Sequence, residues 1–384
     1  MKLSTVLLQR QTLLLILLLM LVDHCSTFSA SKGFASKGFG SSSNSNSKQQ
    51  TAKVKSVKGF GSQRPRAPSK SKPAPQSTNK PQDTTQIDPT LTLENCVLKA
   101  LQKISQDPSL YTVPTSLDFF ELLPPLLSSR YPTIPSRIPS FIHTYLLLSS
   151  LNSPEDSHKL LPASYTSDPR RPTKDVHAFM PGINSPTPFL DPSLFPLVKT
   201  LEDNLETIRS EYQALRSHFS GSPSGFKSLT SLNYDSGWST LNLHQNSHRL
   251  PSFPYDLCPL TLSLLESFPI AGRISGFNRQ LPGTGIPEHS DGNNMWLTLQ
   301  MPLHTEKGKA RIVNGGEERV YVEGKCEVYD TTYSHYTFNE GESERVVLHV
   351  DFWNWKEMEG EEIDVMKYVY ELKEKFEGAE RGSY

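Results

Sequence analysis

Between Pro282 and Trp355 the chain opens PGTGIPEHSDGNNMWLTLQMPL and closes YDTTYSHYTFNEGESERVVLHVDFWNW. His289 and Asp291 flank one residue, His335 stands further along, and Arg345 follows at the head of an apolar run. Two imidazoles and one carboxylate gathered on one face of a non-haem Fe(II) leave positions open for a co-substrate and O₂. Residues i and i+2 of an extended segment project to the same side, so His289-Ser290-Asp291 delivers two ligands from one strand end. The third ligand, His335, has to be carried in from elsewhere in the fold. A 2-oxo acid chelating the metal through its keto and adjacent carboxylate oxygens leaves a distal carboxylate, and a planar guanidinium is the fork that grips it. Arg345 is placed for that role.

The triplet H-x-D alone is a weak signal. The chain has 11 His, and a second copy stands at His349-Val350-Asp351. Setting separates the two. His289-Ser290-Asp291 lies in a Pro/Gly/Asn-rich loop leading into a strand, where sites usually sit. His349 and Asp351 lie inside the strand expected over Arg345–Phe352, on the same alternating face as Arg345, and are expected to line a wall or make hydrogen bonds. A zinc hydrolase would use similar ligands, but it needs a general base beside the metal and gives no reason for Arg345.

The elements that must position these residues read as follows. Short strand-like runs occur at Ser239–Leu243, Ile274–Asn278, Met295–Leu303, Ala310–Val313, Arg319–Val322, Cys326–Tyr329 and Arg345–Phe352, and Asn314-Gly315 is a hairpin signal. Many short alternating strands imply a sandwich or barrel, here a mainly β double-stranded β-helix of the cupin-like jelly-roll type. Leu197, Leu201, Leu205, Ile208, Tyr212 and Leu215 predict one amphipathic helix of about seven turns starting near Asp191 or Ser193 and packed on the sheet. Helices are also predicted over Leu93–Ile104, Ser116–Leu127 and Phe141–Leu151, separated by Pro-rich breaks, with Ser153–Thr187 as a loop-rich joint. A charged helix over Glu361–Phe376, with Ile363, Met366, Val369 and Leu372 at helical spacing, is expected to pack peripherally.

Taken together these residues resemble the aspartyl/asparaginyl β-hydroxylase family of Fe(II)- and 2-oxoglutarate-dependent oxygenases. Gly237-Trp238-Ser239 with LNLHQNSHR, then CPLTLSLLESFP, then Pro282-Gly283-Thr284 are similar to family landmarks in the right order, and YDTTYSHY and RVVLHVDFWNW continue the likeness. It runs from about Phe179 to Trp355. The resemblance implies that His289 and His335 are iron ligands, that Asp291 matches the carboxylate found in many members although some animal members have Gly there, and that Arg345 binds the distal carboxylate of 2-oxoglutarate. It further implies turnover of 2-oxoglutarate and O₂ to succinate and CO₂ with hydroxylation of a C–H bond, supported by ascorbate. Two departures stand out. The family's Arg and His, two residues apart on the strand after H-x-D, correspond to Thr298 and Gln300, and its polar residue eleven before the first His is Asn278, which can still donate a hydrogen bond. The expected substrate is therefore a peptidyl Asp or Asn side chain, with a small molecule or lipid as the alternative because Thr298 and Gln300 weaken the case for an EGF-like domain. A jelly roll that kept the fold and lost turnover is the non-enzymatic rival.

The remainder of the chain bounds the setting. Of 384 residues, 36% are hydrophobic and 30 are Pro, so a good part is not core, and the net charge of −1 gives no lean toward nucleic acid. Met1–Val22 pairs Lys2 and Arg10 with an apolar run, Leu13–Val22, shorter than the roughly 20 residues a bilayer needs. This fits a signal peptide over 1–30, with a signal anchor as runner-up; no stable transmembrane span is expected. Ser26–Gln82 lacks Asp and Glu and is rich in Ser, Gly, Pro and Lys. Read with STFSASKGF it resembles the bipartite plastid presequence of algae with secondary plastids, the alternative being a disordered basic linker after a secretory signal. The duplicated Ser-Lys-Gly-Phe at Ser31–Phe34 and Ser36–Phe39 is a low-complexity echo within it. The expected organisation is a presequence (1–30), a disordered N-terminal segment (31–90), a helical addition and linker (91–176), the oxygenase-like domain (177–357) and a charged helix and tail (358–384). Secretory localisation leads, with plastid or membrane anchorage as alternatives. Cys96, Cys258 and Cys326, without C-x-x-C spacing, disfavour zinc and leave one disulfide open. Oligomeric state is not legible.

Overall fold

The structure, a computed structural model, describes residues 88–378 apart from 184, 186, 221–225 and 227–236. The expected presequence, the Ser-Lys-Gly-Phe duplication and the whole of the acid-free segment lie outside the described residues. Among the described residues no helix is long and apolar enough to cross a membrane.

Helices α1 (Cys96–Gln106), α2 (Leu117–Arg130) and α3 (Arg137–Ser149) come first. A two-residue strand β1 (Phe189–Leu190) leads to α4 (Pro196–Asp203) and α5 (Leu205–His218). Next are β2 (Trp238–Gln245), β3 (His248–Arg249), α6 (Pro259–Glu266), β4 (Ile270–Gln280), β5 (Thr284–His289) and β6 (Trp296–His304). The chain continues through β7 (Ala310–Asn314), β8 (Glu317–Val320), β9 (Glu327–Tyr329), β10 (His335–Asn339), β11 (Arg345–Trp353) and α7 (Gly360–Glu377). Seven strands form one sheet in the order β1-β9-β6-β11-β4-β2-β3, and four form another in the order β5-β10-β7-β8. From β4 to β11 the chain alternates between the sheets except at the β7–β8 hairpin, so each sheet receives four of the eight strands. That winding is the double-stranded β-helix, a jelly roll, as the strand pattern predicts. The hairpin turns on Gly315 and Gly316, both at positive φ (55° and 77°), the mirror-image turn that matches strand twist.

β11 shows how the large sheet is built. Val346, Leu348, Val350 and Phe352 point to one face and join Leu297, Leu299, Met301 and Leu303 of β6 against Leu197, Leu201, Ile208, Tyr212 and Leu215 of α4 and α5. Arg345, His349 and Asp351 take the other face and are buried as well. The sheet thus carries an apolar outer face under helices and a polar inner face toward the smaller sheet.

Three expectations need correction. The predicted seven-turn helix is a 3-10 turn at Pro192–Leu194, capped by Asp191, followed by two helices interrupted at Asn204. Apolar spacing runs on through the interruption from Leu201 to Leu205 to Ile208, so periodicity does not register a single residue leaving helical geometry. The C-terminal helix is not peripheral. Ile363, Val365, Met366 and Val369 are buried in one cluster with α1–α3, Trp296 and Trp353; Glu359 and Glu362 form its capping box, and Glu362 also pairs with Arg137 of α3. Finally, β5 and β10 fall outside the predicted strands. In β10 the polar residues His335, Thr337 and Asn339 are buried while Tyr336 and Phe338 face outward, the inverse of a core strand, because its inner face borders a polar cavity.

The three described cysteines are buried and free, so no disulfide forms among them.

Candidate metal centre

β5 ends on His289 and β10 begins on His335, and these two residues are paired across the small sheet, with ring centroids 4.3 Å apart. Each ring places Nδ1 on the carbonyl two residues earlier, His289 on Pro287 (2.8 Å) and His335 on Tyr333 (2.9 Å). A carbonyl only accepts, so Nδ1 carries the proton in both rings and both Nε2 lone pairs are left free, the arrangement that orients ligating imidazoles. Asp291 completes the group: one ligand atom from each of His289, Asp291 and His335 lies within 4.8 Å of the others. Burial pushes His335 down to about 4, only partly opposed by Asp291, so its imidazole is neutral near pH 7. Burial pushes the Asp291 carboxyl up, but Arg273, His335 and His289 outweigh it and hold the group below the ordinary carboxylate range. A neutral His335 imidazole, the His289 ring and an ionised Asp291 carboxylate are a donor set that fits Fe(II), and equally other first-row divalent metals.

The ligand-bearing loops are braced from outside the small sheet. Asp291 donates its N–H to Thr331 O (2.9 Å). Gly292, at φ +62°, turns the chain sharply, and a Cβ there would lie 1.9 Å from Asp175 O, so only glycine permits the approach. Into that gap comes the segment read as a loop-rich joint: His177 N–H and Ala178 N–H donate to Gly292 O, Ser290 Oγ donates to Asp175 (2.9 Å), and the Asn294 side chain holds both backbone groups of Met180. The loop before His335 is anchored by Arg171, which reaches Asp330 (3.1 Å) and lies over the rings of Tyr165 and Tyr333. Sequence reasoning missed this bracing, since no spacing relates residues 171–180 to 290–335.

A cavity of about 620 Å³ opens on the centre, lined by the three ligands together with Asn278, Thr298, Gln300, Arg273 and His349 among others. Arg345 sits on the same inner face of β11 as His349, wholly buried, its guanidinium carbon 4.8 Å from the ring of Trp238, which also lines the cavity, and 4.7 Å from that of Tyr321. The Tyr321 hydroxyl donates to Gln300, and among the described residues Nε, Nη1 and Nη2 of Arg345 have no hydrogen-bond partner. A buried cation with every donor open is costly unless an anion completes it. Asn278, directly across the β4–β11 ladder from Val347, is buried with its side-chain oxygen unpartnered.

Thr298 and Gln300 do share one face and reach the cavity wall, but their hydrogen bonds run inward. Thr298 donates to Asp351 (2.6 Å), and Gln300 Nε2 meets His349 Nδ1 (3.1 Å). The second H-x-D copy is therefore drawn into wall contacts: His349 Nε2 lies 3.1 Å from Asp351, and burial of the Asp351 carboxyl is outweighed by His349 and Arg273, which keep it ionised. Arg273, not singled out by the sequence, joins the two carboxylates, forming an ion pair with Asp291 and lying 3.7 Å from Asp351. Two arginines in the run GRISGFNRQ look equivalent in sequence. Only register sends Arg273 to the cavity and Arg279 to Ser239.

With this geometry in place, comparison with known proteins is informative. Residues 202–355 match the family described as aspartyl/asparaginyl beta-hydroxylase, a shorter span than the predicted Phe179–Trp355. The aspartate beta-hydroxylase domain-containing protein 2 of Xenopus tropicalis is 31% identical over 195 residues, covering 45% of this chain and 52% of that protein. The human aspartyl/asparaginyl beta-hydroxylase is 28% identical over 163 residues, covering 41% of this chain and 21% of that protein. The ornithine lipid ester-linked acyl 2-hydroxylase of Rhizobium tropici is 25% identical over 178 residues, covering 43% of this chain and 60% of that protein. The chain thus spans about half, or less, of the length of the first two relatives. The stretch that holds the three converging side chains and the buried arginine matches the aspartyl/asparaginyl beta-hydroxylase family.

Proposed function

We propose that this protein is an Fe(II)- and 2-oxoglutarate-dependent dioxygenase. The observation that carries the reading is Arg345, buried with no hydrogen-bond partner for its three nitrogens among the described residues and 4.8 Å from the ring of Trp238, which lines the same cavity as His289, Asp291 and His335. A dicarboxylate that chelates at one end and needs a guanidinium at the other fits both features at once. His289, Asp291 and His335 would hold Fe(II), which when bound supplies the O₂ chemistry that couples decarboxylation of the 2-oxo acid to hydroxylation of a C–H bond. The chain's own part is positional. Pro287 and Tyr333 carbonyls aim the two Nε2 atoms, Trp238 and Tyr321 keep water off the Arg345 guanidinium, and Asn278 offers a further polar contact to the co-substrate. Thr298 and Gln300 act through Asp351 and His349, shaping the wall instead of gripping the co-substrate directly.

The acceptor is an Asp or Asn side chain of a peptide or protein, by the family that residues 202–355 match. A small molecule or lipid is the second reading, favoured by the inward-turned Thr298 and Gln300 and by the likeness to a lipid acyl hydroxylase. The test is conversion of labelled 2-oxoglutarate to succinate by the purified chain with Fe(II) and ascorbate, with and without Asp/Asn-containing peptides. Failure of every condition to yield succinate would favour a jelly roll that binds without turnover. We further infer from Met1–Val22 that the protein enters the secretory pathway; a fluorescent fusion remaining diffuse in the cytosol would contradict that.

A further inference from the structure

The mechanism just described leaves one cavity cation unused. Arg273 projects from β4 at the metal end of the cavity, its side chain 35% exposed where Arg345 is fully buried. Its position is fixed from three sides: Nη1 on Asp291, Nε 3.7 Å from Asp351, and the Trp296 ring 5.8 Å from the guanidinium carbon. The backbone is fixed too, with Arg273 O accepting from Asn246 (2.7 Å). These contacts use Nη1 and Nε, and among the described residues Nη2 has none. Of its two acidic partners, Asp351 is wholly buried, also accepts from Thr298 and cannot leave, whereas Asp291 belongs to the metal group. The ion pair uses Oδ2 of Asp291, so a metal on the other oxygen shares that carboxylate with Arg273. With the Asp291 charge drawn to the metal, a guanidinium fork beside the centre faces the cavity with its negative partner partly neutralised.

We propose that Arg273 forms a second carboxylate subsite, at the metal end of the cavity and separate from Arg345, which becomes available when Asp291 engages the metal. The proposal rests on the dioxygenase reading above and adds a ligand contact to it. The carboxylate has two possible sources, the metal-proximal carboxylate of the 2-oxo acid or the side-chain carboxylate of an acceptor. Planar bidentate pairing with arginine serves either one.

The test uses the full chain loaded with Co(II), read by the metal's visible absorption and by tryptophan fluorescence, in wild type, R273Q and R345Q. Oxalate carries the chelating end of the co-substrate without its distal carboxylate. If the subsite takes the proximal carboxylate, R273Q weakens oxalate and 2-oxoglutarate alike by about ten-fold or more, while R345Q weakens only 2-oxoglutarate. If it takes the acceptor's, R273Q leaves both unchanged but weakens N-acetylaspartate amide added to the 2-oxoglutarate-loaded chain. R273Q binding all three probes as wild type does, with R345Q impaired for 2-oxoglutarate, overturns the subsite and leaves the dioxygenase reading intact. A wild-type chain that takes up Co(II) but neither oxalate nor 2-oxoglutarate overturns both. R273K, which keeps the charge and loses the fork, is read by the same titrations should R273Q fail to fold, and an intermediate loss is expected.

Discussion

The chain spells His-x-Asp twice, and the two copies have opposite fates. His289-Ser290-Asp291 lies at the end of an edge strand of the small sheet, its two Nε2-bearing and carboxylate side chains converging with His335. His349-Val350-Asp351 lies in the middle of β11, hydrogen-bonded on both sides, where His349 and Asp351 face Gln300 and Thr298 across the ladder and bond to them. The difference is not in the triplets. A ligand pair needs lone pairs left open and a third donor opposite, whereas a central strand supplies cross-strand partners that occupy those same atoms. The candidate metal triad thus forms where the ladder ends.

The comparison can be broken by exchanging the consequences of the two copies. His335→Ala removes the donor opposite the first copy and is expected to abolish stoichiometric metal binding, while His349→Ala retains it; metal content after dialysis checks both, and metal loss in His349→Ala alone would invert the assignment. Next in size is Arg345→Ala, on the same face as the second copy but without its partners. It should raise the KM for 2-oxoglutarate by a factor corresponding to about 2–5 kcal/mol while leaving iron loading unaltered. An unchanged KM would remove Arg345 from the co-substrate site.

The residue that follows each copy sharpens the contrast further. Gly292 follows the first at positive φ and against Asp175 O, while Phe352 follows the second as ordinary strand. Gly292→Ala is expected to destabilise the fold by about 1–3 kcal/mol and to loosen the metal centre, since either the backbone or the 173–180 segment must move; thermal melting with and without metal reads both effects. The smallest change is Thr298→Val, which deletes the hydrogen bond to Asp351 and should cost about 1 kcal/mol of stability with metal affinity preserved. A large drop in metal affinity instead would mean that Asp351 positions the centre through Arg273 more strongly than its 3.7 Å separation indicates.

Much of this was legible in residue order. The apolar alternation of β6 and β11, the Gly-containing hairpin after Asn314 and the helical stripes of α1–α3 and α7 are local patterns, written in periodicities of 2 and 3.6. The three side chains that converge, His289, Asp291 and His335, were named from residue order as well, because two imidazoles and a carboxylate are a recognisable donor set. β10 was hidden because its inner face is polar, β5 because it is only partly buried along its length and holds Gly285 and Pro287, and the break at Asn204 because apolar spacing continues across it. Arg273 was hidden for a third reason: its meaning comes from two carboxylates, Asp291 and Asp351, which lie on different strands.

By itself, then, the sequence determined which chemical groups this protein possesses and, where apolar alternation marks a strand, which of them share a face, since both follow from side-chain identity and backbone period. Tertiary structure alone decided which groups meet. It paired His289 with His335 across a sheet, buried the Arg345 guanidinium beside two aromatic rings with no counter-ion among the described residues, and brought residues 171–180 against the ligand loops. The physical reason is that strand register and loop docking are fixed by the total burial of two sheets and their helices, a quantity that no short stretch of sequence contains.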